Sequence, residues 1–167
     1  IYQVGALQVF CDSYGVTLQH MKLHGAFYNT ACVTPALADA VLDGLQAINP
    51  NIAAMVLSGS YIAKEAQRRG IPVIQEVFAD RGYTDEGTLV PRTEPEAFIK
   101  DPQEALERVL MMVTKGKVVT NTGNTIDIVA DSVCVHGDNP EAIAFTNYIR
   151  EGLTKAGVTV ANFQNRE

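Results

Sequence analysis

Glu76-Val-Phe-Ala-Asp-Arg-Gly-Tyr83 continues an apolar, β-branched run that starts at Ile71 and has the character of a buried strand. Where the apolar residues end, Asp80 and Arg81 follow at once, and Leu89-Val-Pro-Arg92 comes after a glycine-containing loop. In α/β proteins, catalytic and binding groups are often placed just beyond the end of a buried parallel strand. This stretch therefore predicts both an α/β fold and a functional site.

Two other apolar runs end in a similar way, at Lys22-Leu-His24-Gly25 and at His136-Gly-Asp138. Because the carboxyl ends of parallel strands meet at one edge of a sheet, we expect these groups to approach the Glu76–Tyr83 stretch. The sequence thus predicts one site built from three strand ends.

Between these runs, apolar residues recur at helical spacing, and clear start and stop signals flank them. Pro35 and Pro102 each follow a capping residue and predict helix starts, while Gly70, Gly116 and Gly157 predict helix ends. Strands are predicted at residues 17–21, 53–57, 73–78, 132–135 and 158–161, with a hairpin over 117–130 and a polar-aromatic loop at 27–29.

Strands that alternate with helices imply mainly parallel strands with right-handed crossovers. The 167 residues suit a single domain spanning 1–167. A complete eight-stranded barrel usually needs more than about 200 residues, so the pattern predicts an open sheet or part of a (β/α) barrel.

Composition excludes several classes of partner. The net charge is −6, and no basic stripe suggests nucleic acid. No apolar run approaches the roughly 20 residues of a membrane span. Three cysteines without C-x-x-C spacing predict reduced thiols in a cytoplasmic compartment. The sequence leaves homo-oligomer formation open.

The quoted motifs resemble those of the LamB/YcsF family. The resemblance rests on Lys22-Leu-His-Gly-Ala-Phe-Tyr-Asn29, on Glu76–Tyr83, on Leu89-Val-Pro-Arg92 and on Cys134-Val-His-Gly-Asp138, in that order. The usual family motif has Pro at the position of Leu23. A further family segment, with Asp-Leu-Asn-x-Asp-x-Gly-Glu, is not found in this sequence.

The resemblance implies a distorted (β/α) barrel similar to the glycoside hydrolase/deacetylase barrel, of which this chain would form the C-terminal portion. It also implies the activity of the A component of 5-oxoprolinase. With partner subunits B and C, this family opens the lactam of 5-oxo-L-proline to give L-glutamate at the expense of ATP.

Lactam opening needs cations for phosphate or carboxylate, a base for water and donors for an oxyanion. The catalytic candidates are acids and histidines at the strand ends: His24, Glu76, Asp80, His136 and Asp138. The candidates for binding phosphate or the substrate carboxylate are Lys22, Arg81 and Arg92. The acids could also hold Mg²⁺, although the sequence does not identify a metal.

Each candidate also has a structural interpretation. Asp80 and Arg81 could brace the long loop, His24 could be a turn residue, and Lys22 could be a solvated charge. Asp138 could cap the last helix. No G-x-x-x-x-G-K-[ST] motif occurs, so ATP contacts must come from other groups.

Two rival functions are also compatible with the sequence. One is a metal-dependent amide hydrolase or deacetylase, suggested by fold analogy, which would need a His/Asp metal cluster. The other is a non-catalytic component that binds 5-oxoproline for its partners.

Overall fold

The computed structural model describes residues 1–137 and 142–163. The chain has two compact units, Ile1–Ile74 and Gln75–Glu167. The prediction of a single domain over 1–167 stays a prediction.

Helices and strands alternate along the chain, as predicted. The first unit contains α1 (Tyr2–Ser13), β1 (His20–Lys22), α2 (Gly25–Val33), α3 (Pro35–Ile48), β2 (Ala53–Leu57) and α4 (Tyr61–Arg68). Then follow β3 (Val73–Phe78), α5 (Pro102–Lys115), β4 (Lys117–Val119), β5 (Thr125–Asp127), β6 (Ser132–Cys134) and α6 (Ala142–Lys155).

The main sheet has the strand order β1-β2-β3-β6. Strand β1 pairs with β2 in parallel, and β3 pairs with β6 in parallel. The hairpin β4–β5 is antiparallel. The predicted α/β class with mainly parallel strands is therefore confirmed.

In the first unit, α2, α3 and α4 pack against one another, and α2 and α4 pack on β2. The fully buried side chains here include Leu42, Ile52, Leu57 and Ile62. Helix α1 buries none of its residues. Among the described helices, none is long and apolar enough to cross a membrane by itself; the bent pair of α2 and α3 meets that test by length and composition alone.

Two local predictions were wrong. Residues 27–29 are part of helix α2 rather than a loop, and Tyr28, Ala31 and Cys32 bury one face of that helix. Residues 158–161 form no strand. After Gly157, at a φ of 79°, the backbone of Val158 instead donates to Leu153 O and closes the end of α6.

In the second unit, α5 and α6 pack together over a core of Ala79, Ala105, Val109, Ile149 and Leu153. The Asp101 carboxylate accepts a hydrogen bond from Gln103 N at 3.2 Å and caps α5, with Pro102 at the first helical position. Gly116 ends α5 in the left-handed conformation, as predicted.

The long loop after β3 is held by backbone bridges. Arg81 pairs with Phe98 and Tyr83 pairs with Leu89, both antiparallel. Tyr83 is fully buried, and its hydroxyl oxygen accepts a hydrogen bond from Phe78 N at 2.9 Å. Burial raises the pKa of this phenol. These contacts give the loop a fixed course past the end of β3.

Candidate functional site

Asp80 and His136 form the centre of the site. Their side chains meet at the ends of β3 and β6, where His136 Nδ1 lies 2.7 Å from Asp80 Oδ2. The parallel register that pairs Phe78 with Cys134 places both residues just past the same sheet edge. Because an ionised carboxylate can only accept a hydrogen bond, this contact selects the tautomer with the proton on Nδ1, and in the neutral imidazole Nε2 then has the lone pair.

The second oxygen of Asp80 has no hydrogen-bond partner among the described residues. Oδ1 is buried, although the Asp80 side chain as a whole is 18% exposed. A buried acceptor left without a partner is costly, which makes it a natural contact for a water, a substrate N–H or a cation.

Phe78, which sequence reasoning did not select, stacks on the His136 ring. The ring centroids lie 5.7 Å apart with an interplanar angle of 27°. With Asp80 on one ring nitrogen and Phe78 against the ring, the imidazole has a defined orientation. The only feature of the sequence that could have pointed to Phe78 is its position at the apolar end of β3.

A cavity of about 970 Å³ borders the Asp80–His136 pair. Its walls are largely apolar, with a few polar groups, as in many small-molecule sites. They are formed by Asp80, Arg92, Phe98, Ile99, Lys100, Asp101, Pro102, Gln103, Val135, His136, Ala142, Ala144, Phe145 and Tyr148. On one side, the Tyr148 hydroxyl donates to Gln103 Oε1 and links α6 to the start of α5.

Arg81 is used inside the loop. Its side chain is 3% exposed; Nε donates to Ala97 O at 2.9 Å and Nη2 donates to Val90 O at 2.6 Å. Burial, and secondarily the charge of Arg92, lower the pKa of this guanidinium. These contacts favour the bracing interpretation, and a role in binding phosphate or carboxylate stays a prediction.

Arg92 is exposed and lies on the cavity wall. Its guanidinium carbon lies 5.5 Å from the centroid of the Phe98 ring, and that of Arg81 lies 5.1 Å from the same centroid. Of the two arginines, Arg92 is therefore the one whose charge faces the cavity.

Glu76 is buried within β3, at 2% exposure, opposite Ser132 in the register with β6. Its charge is among the influences that raise the pKa of Tyr83, after the larger effect of burial. Glu76 does not line the cavity, and its catalytic role stays a prediction.

Lys22 and His24 lie in the first unit. They line a different cavity, of about 690 Å³, whose walls come from α1, β1, the start of α2, and α3. Lys22 Nζ lies 5.5 Å from the centroid of the Tyr28 ring, and His24 is exposed at the residue before α2. Their membership of one site with Asp80 and His136 stays a prediction.

Asp138 lies outside the described residues, so its predicted catalytic role stays a prediction. Among the described residues, no group of three or more His, Cys, Asp or Glu side chains could hold a metal ion. In the described part of the chain, no disulfide joins Cys11, Cys32 and Cys134.

The LamB/YcsF family model matches residues 1–167. The chain belongs to the LamB/YcsF family. Among LamB/YcsF relatives, a Fusobacterium nucleatum protein named as the A component of 5-oxoprolinase is 56% identical over 160 residues, which are 96% of this chain and 62% of the relative. A Pyrococcus abyssi protein of the same name is 45% identical, with 96% of this chain and 63% of the relative covered.

A solved LamB/YcsF-like structure agrees with these matches. The crystal structure of a lactam utilization protein from Thermus thermophilus superposes with a TM-score of 0.87 at 39% identity, over 97% of this chain and 64% of that chain. The predicted fold class, a partial (β/α) barrel with mainly parallel strands, is confirmed by this likeness. The chain spans less than two thirds of the length of these relatives.

Proposed function

We propose that this chain contributes the Asp80–His136 pair to an ATP-dependent 5-oxoprolinase that opens the lactam of 5-oxo-L-proline to give L-glutamate. The observation that carries the proposal is the hydrogen bond of 2.7 Å between Asp80 Oδ2 and His136 Nδ1 beside a cavity of about 970 Å³. Relatives named as the A component of 5-oxoprolinase support the choice of reaction.

In this reaction His136 acts as the general base. Its Nε2 takes a proton from water while the water oxygen bonds to the lactam carbonyl carbon. The carbon–nitrogen bond then breaks, and the released nitrogen takes up a proton, which His136 can return. Asp80 holds the Nδ1–H tautomer throughout and stabilises the imidazolium that forms.

ATP would supply the phosphoryl group that activates the lactam oxygen, and after the ring has opened a second water would release that group as inorganic phosphate and leave the free carboxylate of glutamate. Mg²⁺ commonly accompanies ATP and binds through one or two carboxylates together with phosphate oxygens and water. In the described part of the chain, Asp80 Oδ1 is a buried carboxylate oxygen without a partner, which fits such a contact. We propose partner subunits B and C for the assembled enzyme, and a cytoplasmic location in keeping with three cysteines that form no disulfide in the described part of the chain.

The test is ATP-dependent conversion of 5-oxoproline to glutamate by the protein assembled with subunits B and C. His136→Gln and Asp80→Asn should each lower kcat by about 10²–10⁴-fold, the range expected for loss of general base catalysis. The control is Asp127→Asn, which removes an exposed ion pair with Lys117 and should leave kcat unchanged. Turnover by His136→Gln at the unsubstituted rate would refute the proposal.

A further inference from the structure

We propose that Phe98 is a positioning residue that presents Arg92 as the anion-binding group of this cavity, so that the site selects lactam acids over neutral lactams. This inference rests on the proposed function and names the substrate class of the same site. It starts from an aromatic ring that contacts two guanidinium groups, one buried and one exposed.

The Phe98 ring contacts two cations, Arg81 and Arg92. Both guanidinium carbons lie within 5.5 Å of the Phe98 centroid, inside the range of cation–π attraction. The buried one, Arg81, is fixed by hydrogen bonds to Ala97 O and Val90 O. Its position cannot adapt to a ligand without breaking those bonds. Of the two arginines, Arg92 is therefore the one that can respond, and Lys100 is a further exposed cation on the same wall.

Two acids, Asp80 and Asp101, share the cavity wall with Arg92. No carboxylate of the described residues forms a salt bridge with Arg92. The two acids on the cavity wall have other hydrogen-bonding tasks: Asp80 Oδ2 bonds to His136, and Asp101 Oδ1 accepts from Gln103 N. Arg92 therefore lies on the cavity wall without an ion-pair partner among the described residues, which leaves its charge available to an anion from outside the chain.

Backbone hydrogen bonds connect the segment of Phe98 to that of Asp80. Phe98 and Asp80 belong to paired backbone segments: Arg81 forms a bridge with Phe98, and Ile99 N donates to Asp80 O at 2.9 Å. The ladder that holds the backbone of Asp80 also holds the backbone that carries the Phe98 ring. A lactam ring beside His136 with a carboxylate on its edge would meet both groups in one cavity.

The experiment compares binding of 5-oxoproline and of 2-pyrrolidinone, the same lactam without its carboxylate, by calorimetry on the protein. The unsubstituted protein should bind 5-oxoproline more tightly than 2-pyrrolidinone. Arg92→Gln should weaken 5-oxoproline binding by about 10-fold or more, the size expected for a lost charge-assisted contact. Phe98→Leu should weaken it by about 2–5-fold, the size expected for a lost exposed cation–π contact.

Three controls make the result specific. Phe98→Tyr keeps an aromatic face and should keep the preference, and Arg150→Gln, on α6 away from the cavity wall, should bind like the unsubstituted protein. Binding of 2-pyrrolidinone should stay constant across all four variants. A preference that survives in both Arg92→Gln and Phe98→Leu would overturn the inference, as would equal binding of the two lactams by the unsubstituted protein.

The proposed function and the proposed anion-binding role of Arg92 can be refuted independently of each other. Loss of turnover in His136→Gln together with an unchanged lactam preference in Arg92→Gln would leave the proposed function standing and remove the anion subsite. Full turnover in His136→Gln with a lost preference in Arg92→Gln would do the reverse.

Discussion

Replacing Arg81 by Met distinguishes a bracing residue from a ligand-binding one. The substitution removes hydrogen bonds of 2.9 Å to Ala97 O and 2.6 Å to Val90 O. Hydrogen bonds from a charged group contribute about 1.5–3 kcal/mol each. Ala97 O keeps a second donor, Gly82 N, whereas the described residues give Val90 O no other.

The loss is offset in part because Met needs no desolvation of a charge. Burial lowers the pKa of Arg81, which means that the surroundings disfavour its charged form. The apolar Met chain also fills most of the vacated volume. Subtracting this gain from the lost hydrogen bonds leaves an expected decrease of about 2–4 kcal/mol in the free energy of unfolding.

The measurement is urea unfolding of Arg81→Met beside Arg92→Met, an exposed matched control that should change stability by less than about 0.5 kcal/mol. Turnover in the assembled enzyme is measured under conditions where both variants are folded. If Arg81→Met unfolds like the unsubstituted protein and yet loses turnover, the bracing argument is refuted. The sequence-based assignment of Arg81 to phosphate or carboxylate binding would then be correct.

Two further predictions test the loop after β3 and the ion pairs of Glu65 on α4. Gly82→Ala should lower the free energy of unfolding by about 1–3 kcal/mol, because the added Cβ would lie 2.1 Å from Glu96 O; Gly5→Ala, in open space on α1, should raise it slightly. Glu65 accepts hydrogen bonds from Arg68 and Arg69, which lower its pKa from 4.5 to about 2, so it stabilises the fold above pH 4.5 and loses that effect as pH falls toward 2. Acid titration of unfolding should therefore be steeper for the unsubstituted protein than for Glu65→Gln in that interval, and equal slopes would contradict the assignment.

Much of the fold could be predicted because the decisive signals are local. The runs 53–57 and 73–78 became strands with the predicted bounds, and Pro102 and Gly116 mark the ends of α5 as expected. These signals depend on side-chain shape and backbone freedom, which the residue itself supplies.

The missed helix α2 had weaker local signals. Its preceding residue, His24, makes no capping hydrogen bond, and four of its nine residues are aromatic or β-branched. The burial of Tyr28, Ala31 and Cys32 on one face stabilises the helix through packing on neighbouring elements. These three residues lie at positions i, i+3 and i+4, a spacing typical of a helix, and this is the feature of the sequence that could have predicted α2.

At the site, sequence reasoning placed Asp80 and His136 together correctly but could not separate Asp80 from its neighbour. The strand ends at Phe78, residues 79–80 form a bend, and Arg81 enters a backbone bridge, so the two neighbouring side chains leave the chain in different surroundings. Asp80 therefore reaches His136 at 2.7 Å, while Arg81 turns into the loop and bonds to backbone carbonyls. Charge density in a sequence identifies where polar groups gather, but not which side each one faces.

The different roles of the neighbours Asp80 and Arg81 explain why the loop after β3 is long. A carboxylate that orients a histidine needs a rigid backbone, and a strand end alone does not provide one. Arg81 supplies the rigidity by joining Val90 and Ala97, two distant parts of the loop. The segment between those carbonyls then carries Arg92 to the cavity wall, and Phe98 follows directly after Ala97. The interaction that stabilises the loop thus also holds the backbone segment that carries the exposed cation.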